Sequence, residues 1–406
     1  MTTEIHEVRV DSIDLRLGMY VCRLDRPWEG TPFPLQGLQL LVDEDLRAIR
    51  ELCKYVYIDM RRQVEVDARL QLLGRRSSPD TRFSAGIRYT NSVSIEDELP
   101  RAHKALKTSA ELVDRIYVDI ASGRELSADT VEQAVRPLVS SVLRNPDAFL
   151  YVESLRKHDS YSYSHAINCS ALAAVLGRHM GFAEDTIVSV ASGGLLMDIG
   201  KTQLSESLLQ YPGSLSAGQV ELVRSHVASG LSLLGVAGIA DTDVLDIVST
   251  HHERYDGSGY PYGISGNGIP IVGRMLGVID AYDAMASARP YRPAISRHHA
   301  MQQIYAARSR MFQSELVEQF LVCLGVYPTG SLVELNSGEV AIVMMQNKVR
   351  RLRPRVLVLT TAGKQQLKHF HVLDLMDQDD ATKTVEIKRS IAPGDFGIDV
   401  GEQFLQ

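Results

Sequence analysis

The sequence lacks the features that would place the protein in a membrane or outside the cell. It has no run of about 18 apolar residues, and its opening residues, MTTEIHEVRV, carry charges where a signal peptide needs an apolar core. The four cysteines, Cys22, Cys53, Cys169 and Cys323, lie far apart and form no CxxC pair, which argues against a zinc knuckle or a disulfide framework. We therefore expect a cytoplasmic protein without membrane insertion.

An excess of basic charge is missing as well. The chain has 43 Lys and Arg residues against 50 Asp and Glu residues, which gives a formal net charge of -7. Such a balance offers no general attraction to nucleic acid polymers or anionic membranes. Any recognition of phosphate must therefore be local.

The length and the changes of pattern along the chain predict several domains. The 406 residues suit two or three domains, because a single core rarely grows to this size. Short strands around one helical stretch predict a small α+β domain, sustained helical periodicity predicts a central bundle, and segments such as RVLVLTT predict a small β-rich domain at the end. The expected fold class is mainly α. The expected boundaries are 1–65 for the α+β domain, 66–100 for a linker, 101–139 for a helical connector, 140–326 for the bundle domain and 327–406 for the β domain.

Imidazoles and carboxylates recur in the helical region at intervals of about one helix plus its loop, so they can come from different helices and meet in one bundle core. Imidazole and carboxylate together suit iron, manganese, nickel or zinc better than calcium or magnesium. There are more candidate ligands than one ion needs, and a two-metal centre can activate a water and stabilise the leaving oxygen of a phosphodiester. The candidates are His165, Asp198, His226, His251, His252 and Asp280.

Taken singly, each of these residues has an ordinary interpretation, since a lone His in a helix is usually a surface or packing residue. The joint pattern carries the prediction. The dipeptide His158-Asp159 lies upstream of His165, and we expect Asp159 to cap or orient the following helix and His158 not to be a ligand. The other histidines without a comparable setting are His103, His179, His298, His299 and His369.

Four motifs follow one another in the helical region. They are MDIGK at 197–201, the SH pair ending at His226, HHERYDGSGYP at 251–261 and IDAYDAM at 279–285. Together they resemble the HD-GYP family of the HD phosphohydrolase superfamily, whose members characteristically open cyclic di-GMP to linear pGpG and sometimes GMP. The region before Met60 resembles a domain of unknown function that often precedes such domains.

The resemblance implies that the six candidates bind two divalent ions, iron or manganese before nickel or zinc, with Asp198 as the bridging carboxylate. Lys201 follows Asp198 by one helical turn, where its ammonium can hold a phosphate or steer the attacking water. Asp198 and Lys201 are thus the expected catalytic residues. Read without the motifs, Lys201 is a surface lysine.

The resemblance also implies a binding surface for the nucleotide. Arg289 and Arg292 match a basic pair that grips the ligand phosphates, and guanidinium geometry suits such contacts. In the DGSGYP turn, glycines permit unusual backbone angles and Tyr260 can offer its ring to a guanine or its hydroxyl to the site. The expected ligand-binding residues of this turn are Asp256, Gly259 and Tyr260.

One position departs from the family pattern. The name-giving His-Asp pair is Met197-Asp198 here, and a thioether is a weak, soft donor for the expected ions. The three-metal variant of the family has a Glu where this chain has Tyr161, so no third ion is expected. We expect the ion position that uses His165, Asp198 and Asp280 to be weakened, and the position that uses Asp198, His226, His251 and His252 to be complete.

Three functions remain open from the sequence. The first is a working cyclic di-GMP phosphodiesterase in bacterial second-messenger signalling, with effects on motility or biofilm. The second is a catalytically impaired module that acts as a cyclic di-GMP receptor or a regulator of a partner protein, and the third is an HD hydrolase of another phosphoester. The resemblance adds diguanylate cyclase (GGDEF) domains as candidate partners of the GYP surface and leaves a homodimer open.

Overall fold

The N-terminal region forms a small antiparallel sheet with one helix packed on it. The computed structural model describes residues 7–26, 38–40, 43–59, 86–156, 161–287, 293–347, 350–378, 384–398 and 401. In this first sheet the strand order is β1-β4-β2-β3, and in β4 the side chains alternate so that Val56 and Ile58 are buried. The elements are β1 (Glu7–Asp11), β2 (Tyr20–Leu24), β3 (Leu38–Gln39), α1 (Asp43–Leu52) and β4 (Tyr55–Asp59).

Two long helices open the bundle, α2 (Ile95–Ala121) and α3 (Ala128–Arg144). Each begins at a serine whose side chain caps the helix: Ser94 accepts from the Asp97 amide and Ser127 from the Thr130 amide. Their apolar faces are turned to each other and to the rest of the bundle. The amphipathic pattern of the sequence is thus satisfied by helix-to-helix packing.

The central helix of the bundle is α5 (Tyr161–His179), which follows α4 (Pro146–Ser154). Every residue from Ser164 to Arg178 is buried. A helix that is apolar on nearly all sides belongs in the interior. A polar residue on α5 therefore needs partners from other helices.

The remaining helices complete the bundle, and a long connection at residues 251–270 joins α10 to α11. A 3-10 helix at Ile199–Gln203 follows α6 directly after Met197 and Asp198. The elements are α6 (Glu184–Leu196), α7 (Glu206–Leu209), α8 (Ala217–Arg224), α9 (His226–Val236), α10 (Thr242–Thr250), α11 (Ile271–Ala286), α12 (Arg297–Ala306) and α13 (Ser314–Leu324).

The C-terminal region is a five-stranded antiparallel sheet in the order β8-β7-β6-β5-β9. A tight turn at Asn336-Ser337-Gly338 joins β5 to β6, and Gly338 adopts a φ of 99° there, a conformation that glycine allows. The segment NSG is typical of a hairpin turn, and the structure has a hairpin there. The strands are β5 (Leu332–Leu335), β6 (Val340–Met345), β7 (Arg355–Thr360), β8 (Gln366–Asp374) and β9 (Ile387–Ser390).

Polar contacts join the bundle to both flanking regions. Tyr20 on β2 donates a hydrogen bond to the Glu315 carboxylate at the start of α13. On the other side, Asp147 of α4 accepts hydrogen bonds from the Thr329 hydroxyl at 2.6 Å and from the Gln346 amide at 3.3 Å. The bundle is therefore in hydrogen-bonded contact with the N-terminal sheet and with the chain around β6.

The fold class is confirmed as mainly α with strands at both ends, and the expected domain boundaries stay predictions. Helix α2 begins at Ile95, so its first six residues lie within the segment expected to be a linker at 66–100, and residues 66–85 of that segment lie outside the described part of the chain. Helix α3 runs across the expected boundary between 139 and 140. Among the described residues, no helix has the length and apolar character needed to cross a membrane.

Candidate metal centre

Six predicted ligand side chains, which come from five different elements or their ends, meet in the bundle core. His165 lies on α5 and Asp280 on α11, both buried. Asp198 follows α6, and His226 is the first residue of α9. His251 and His252 come directly after α10.

Asp198 is at the centre of the group. Its Oδ1 lies 3.3 Å from His226 Nε2 and 3.7 Å from His251 Nε2. Its Oδ2 lies 3.6 Å from His165 Nε2 and 2.6 Å from Lys201 Nζ. The two oxygens thus face different imidazoles, as a carboxylate that bridges two ions would.

Asp280 closes the opposite side. Its Oδ1 lies 3.2 Å from His165 Nε2, and its Oδ2 lies 3.5 Å from His252 Nδ1. His165 therefore has both Asp198 and Asp280 beside the same ring nitrogen. His165, Asp198 and Asp280 are the three residues that the family resemblance assigns to the weaker ion position.

Backbone carbonyls fix the tautomers of two imidazoles. His226 Nδ1 donates to the Val223 carbonyl at 2.7 Å, and His251 Nδ1 donates to the carbonyls of Ile247 and Val248 at 3.1 Å each. The proton is thus on Nδ1, and the lone pair of Nε2 points toward Asp198.

The chemistry of the unpaired atoms fits a metal ion. Asp198 Oδ1, His226 Nε2 and His251 Nε2 are buried and have no hydrogen-bond partner among the described residues. Buried polar atoms are normally paired, because leaving one unpaired costs about 1–3 kcal/mol. One ligand atom from each of Asp198, His226, His251 and His252 lies within 4.8 Å of the others. These four residues would hold one ion, and His165, Asp280 and Asp198 would hold a second.

A close approach of two backbones positions Asp198. A side chain at Gly200 would collide with the His226 carbonyl and the Gly230 amide. Glycine therefore lets the 3-10 helix that begins at Ile199 lie directly against α9. This contact places Asp198 and Lys201 beside His226.

Charge neighbours hold both central carboxylates ionised. Burial raises the pKa of Asp198, but the Lys201 ammonium and the nearby imidazoles outweigh it and bring the pKa well below its usual value. Burial likewise raises the pKa of Asp280, and hydrogen bonding from His165 together with the charge of His252 brings it below its usual value. Both side chains are thus ready to bind a cation.

Profile comparisons divide the chain into three matched regions. A model described as an HD domain matches residues 149–316, a model described as a domain of unknown function matches residues 7–131, and a KOW domain associated with HD domain matches residues 332–397. A cyclic di-GMP phosphodiesterase of Pseudomonas aeruginosa is 31% identical over 369 residues, which cover 90% of this chain and 88% of that protein. The chain belongs to the HD-GYP family.

Two further relatives match smaller shares of the chain. A cyclic di-GMP phosphodiesterase response regulator of Xanthomonas campestris is 29% identical over 217 residues, 53% of this chain and 55% of that protein. A 3′3′-cGAMP-specific phosphodiesterase of Vibrio cholerae is 32% identical over 157 residues, 38% of this chain and 29% of that protein. The names of the relatives thus include two different cyclic dinucleotides.

The HD-GYP turn is held by a residue that the sequence reasoning missed. Glu253 is buried, and its carboxylate accepts hydrogen bonds from the Tyr262 amide at 2.7 Å and the Ile264 amide at 3.1 Å. A side chain at Gly259 would collide with the backbone of Glu253 and Arg254. A carboxylate directly after the HH pair, with a Gly-rich turn following it, was the available signal.

Two expected ligand-binding residues of this turn have different surroundings. The Tyr260 ring lies 4.6 Å from the His252 ring, beside the metal centre. Asp256 is exposed and accepts from the Ser258 amide at 3.0 Å and the Ser258 hydroxyl at 2.6 Å. Asp256 is thus engaged in stabilising the turn, and its role in binding a nucleotide stays a prediction.

A second missed residue orients His165. Asp283 Oδ2 accepts from His165 Nδ1 at 2.7 Å, and Asp283 Oδ1 accepts from Asn168 Nδ2 at 3.0 Å. A carboxylate behind a ligand imidazole fixes its tautomer and makes it a better donor to a metal. Asp283 follows Asp280 by one helical turn in IDAYDAM, and this spacing was the only sequence signal.

Met197, at the HD position of the family, is 1% exposed and belongs to the apolar core of the bundle. It occupies the end of α6, next to Asp198. A methionine there packs well, because a flexible thioether fills an apolar space readily. Its effect on the second ion position stays a prediction.

Several other predicted positions are not part of the centre. His179 interacts with Gln319 at 3.1 Å, and His298 donates to the Val326 carbonyl at 2.7 Å. Neither belongs to a described group of potential metal ligands. The predictions for the following residues fall outside the described residues or side chains: His158, Asp159, Tyr161, Arg289 and Arg292.

Proposed function

We infer that this protein is a metal-dependent phosphodiesterase that hydrolyses cyclic di-GMP. The observation that carries the proposal is the convergence of unpaired imidazole nitrogens on Asp198 in the HD domain, in a chain related over 90% of its length to a cyclic di-GMP phosphodiesterase. Opening one of the two phosphodiester bonds gives linear pGpG, and opening both gives GMP.

We assign the roles of the residues from their positions. Asp198, His226, His251 and His252 would hold one ion, and His165 and Asp280 would hold the other together with the second oxygen of Asp198. When bound, the ions supply Lewis acidity and lower the pKa of a water that attacks phosphorus. Iron or manganese suits this ligand set, with nickel or zinc as alternatives.

Lys201 acts on the charge of the reacting group. Its ammonium lies 2.6 Å from Asp198 Oδ2 and its side chain is partly exposed. In this position it keeps Asp198 oriented and can offer its remaining N–H donors to a phosphate oxygen. Lys201 therefore helps to balance the negative charge that grows on the phosphate during hydrolysis.

The Met197 substitution motivates one alternative, a receptor that binds cyclic di-GMP without turnover. The relationships of the chain do not favour this role over hydrolysis. We propose that Met197 weakens the ion position of His165 and Asp280 and leaves the centre working with an uneven pair of ions. A third ion is not part of the proposal.

Turnover of cyclic di-GMP by the anaerobically purified chain, supplied with iron or manganese, tests the function. The native protein is expected to produce pGpG, and Asp198→Ala is expected to lower the rate by more than about 100-fold together with bound metal. Met197→His is expected to raise metal content. The receptor role would be supported instead if the native protein binds cyclic di-GMP tightly and makes no pGpG. In that case the Met197→His variant should gain activity.

The finer biological setting is also a proposal. We propose cytoplasmic second-messenger signalling, with diguanylate cyclase (GGDEF) domains as partners of the exposed turn that contains Asp256 and Ser258, and a homodimer as the assembly. The exposure of this turn supports the first partner. Binding of a purified GGDEF domain to the native protein and to Ser258→Glu tests the partner. The molar mass of the protein in solution tests the homodimer.

A further inference from the structure

We propose that Arg224 reads the guanine edge of the substrate at the mouth of the metal centre and thereby selects guanine over adenine in cyclic dinucleotides. The proposal rests on the proposed function, because it assigns the base preference of the same site. None of the four family motifs includes Arg224. Its position in the structure suggests this role.

Arg224 is separated from a candidate metal ligand by one aromatic ring. It is the last residue of α8, two positions before His226. Its guanidinium carbon lies 4.9 Å from the centre of the Tyr260 ring, and that ring lies 4.6 Å from the ring of His252 at an angle of 30°. A nucleotide whose phosphate reaches the ions therefore has its nearest base within range of Tyr260 and Arg224.

The known contacts of Arg224 leave donors for a ligand. Glu221 accepts one N–H at 2.8 Å, but the two side chains are 45% and 70% exposed. An ion pair this exposed contributes little to stability. The cation–π contact with Tyr260 depends on the positive charge of the guanidinium and leaves its N–H groups available as hydrogen-bond donors. A guanidinium has five N–H donors in a fixed planar arrangement.

The guanidinium of Arg224 can discriminate between guanine and adenine because it donates hydrogen bonds and accepts none. Guanine presents two acceptors, O6 and N7, that pair with the two N–H groups of one guanidinium edge, whereas adenine presents N7 and a donor at N6. The Tyr260 ring lies between Arg224 and His252 and holds the guanidinium at the mouth of the centre through a cation–π contact. Tyr260 therefore positions Arg224, and Arg224 supplies the preference for guanine.

A contact from Arg224 to a phosphate would leave a different signature. The backbone phosphates of cyclic di-GMP, 3′3′-cGAMP and cyclic di-AMP are alike, so a phosphate contact weakens all three substrates equally. A base contact changes the ratio between them. The relatives of this chain include enzymes named for cyclic di-GMP and for 3′3′-cGAMP, so the base preference is a variable property among them.

The test is the kcat/KM of the metal-loaded full chain for cyclic di-GMP and cyclic di-AMP, with 3′3′-cGAMP as the intermediate case. Arg224→Ala is expected to lower the cyclic di-GMP to cyclic di-AMP ratio about tenfold, mainly through KM for cyclic di-GMP. Arg224→Lys keeps the charge but loses the planar pair of donors, so it is expected to lose most of the same preference. Arg136→Ala is the matched control, since Arg136 forms an equally exposed helical ion pair with Glu132 on α3, and its ratio should equal that of the native chain.

Each other outcome is decisive. An unchanged ratio in Arg224→Ala, or an equal loss for all three nucleotides, overturns the assignment of the guanine edge and leaves the phosphodiesterase function standing. A native, metal-loaded chain that neither binds nor cleaves any of the three nucleotides overturns the function and this inference together. The two failures are thus distinguished by the native protein alone.

Discussion

The bundle buries two carboxylates in opposite ways. Glu98 on α2 is fully buried and accepts hydrogen bonds from the Ser141 hydroxyl at 2.8 Å and from two nitrogens of Arg144 at 2.7 Å each. Asp198 is nearly as buried, yet its Oδ1 has no hydrogen-bond partner among the described residues and faces imidazole nitrogens in the same condition. Satisfied polar groups stabilise a fold, whereas convergent unsatisfied groups lower its stability until a ligand pairs them.

The largest effect is expected from removing one imidazole of the unsatisfied group. His226→Ala takes away a ligand of the more complete ion position, so turnover should fall by at least about 100-fold with bound metal. The metal-free variant should lose less stability than the loss of a buried side chain of this size usually costs, because the substitution also removes an unpaired buried nitrogen. Activity assays, metal analysis and denaturation with chelator measure the three quantities.

His179→Ala is the control for His226, since His179 lies at the surface end of α5 and contacts Gln319. It should keep native activity and metal content. Native turnover in His226→Ala would show that the unpaired nitrogens around Asp198 do not mark the functional centre, and the contrast with Glu98 would lose its meaning.

A smaller effect on turnover is expected from Asp283, a satisfied buried carboxylate that contacts a candidate metal ligand. Asp283 is satisfied by Asn168 and His165, and through His165 it acts on the metal centre. Asp283→Asn keeps the shape but removes the charge behind the imidazole, so metal affinity should fall about 10- to 100-fold. Added metal should restore much of the lost kcat, which a purely structural defect would not allow.

Asp114→Asn on the exposed face of α2 is the control for Asp283. It should leave metal affinity unchanged. If Asp283→Asn binds metal as tightly as the native chain, the hydrogen bond to His165 serves packing only and Asp283 does not belong to the metal centre.

Glu98 gives the converse prediction. Glu98→Gln removes the negative charge opposite Arg144 and replaces one acceptor oxygen with a donor in a buried position, so the free energy of unfolding should fall by about 2 kcal/mol. With metal bound and below the unfolding transition, kcat/KM should be native. Glu132→Gln, at an exposed pair on α3, should change the free energy of unfolding by well under 1 kcal/mol. A loss of kcat/KM in folded Glu98→Gln would contradict the separation between the two sites.

Sequence patterns predicted the fold class and identified the six ligand candidates, because helical periodicity and motif spacing are local properties of the chain. Asp283 was missed, since its partner His165 is 118 positions away and no local pattern records such a contact. The start of α2 at Ile95 was not predicted, because Pro100 and the polar residues before it resemble a linker. The Ser94 cap and the burial of Ile95 and Glu98 show why the helix begins earlier.

The smallest effect is expected at a carboxylate of the C-terminal sheet. Hydrogen bonds from Lys364 at 2.9 Å and Arg389 at 2.6 Å lower the pKa of Glu334 on β5 from 4.5 to about 2. A carboxylate with a lowered folded-state pKa stabilises the fold above the unfolded pKa, and this contribution is lost as the pH falls from 4.5 toward 2. Glu334→Gln should therefore be less stable than the native chain at pH 7, and the difference should shrink across this pH range.

Denaturation of both proteins at several pH values measures the difference, and the same variant at pH 7 should retain native kcat/KM. Glu339→Gln, next to the adjacent turn, is the comparison for a carboxylate that accepts a hydrogen bond from the Ser337 hydroxyl. A difference between native protein and Glu334→Gln that is constant from pH 7 to 2 would mean that the basic neighbours do not stabilise the charge. Glu334 would then not belong with Glu98 among the carboxylates that hold the fold, and the contrast with Asp198 would rest on the bundle alone.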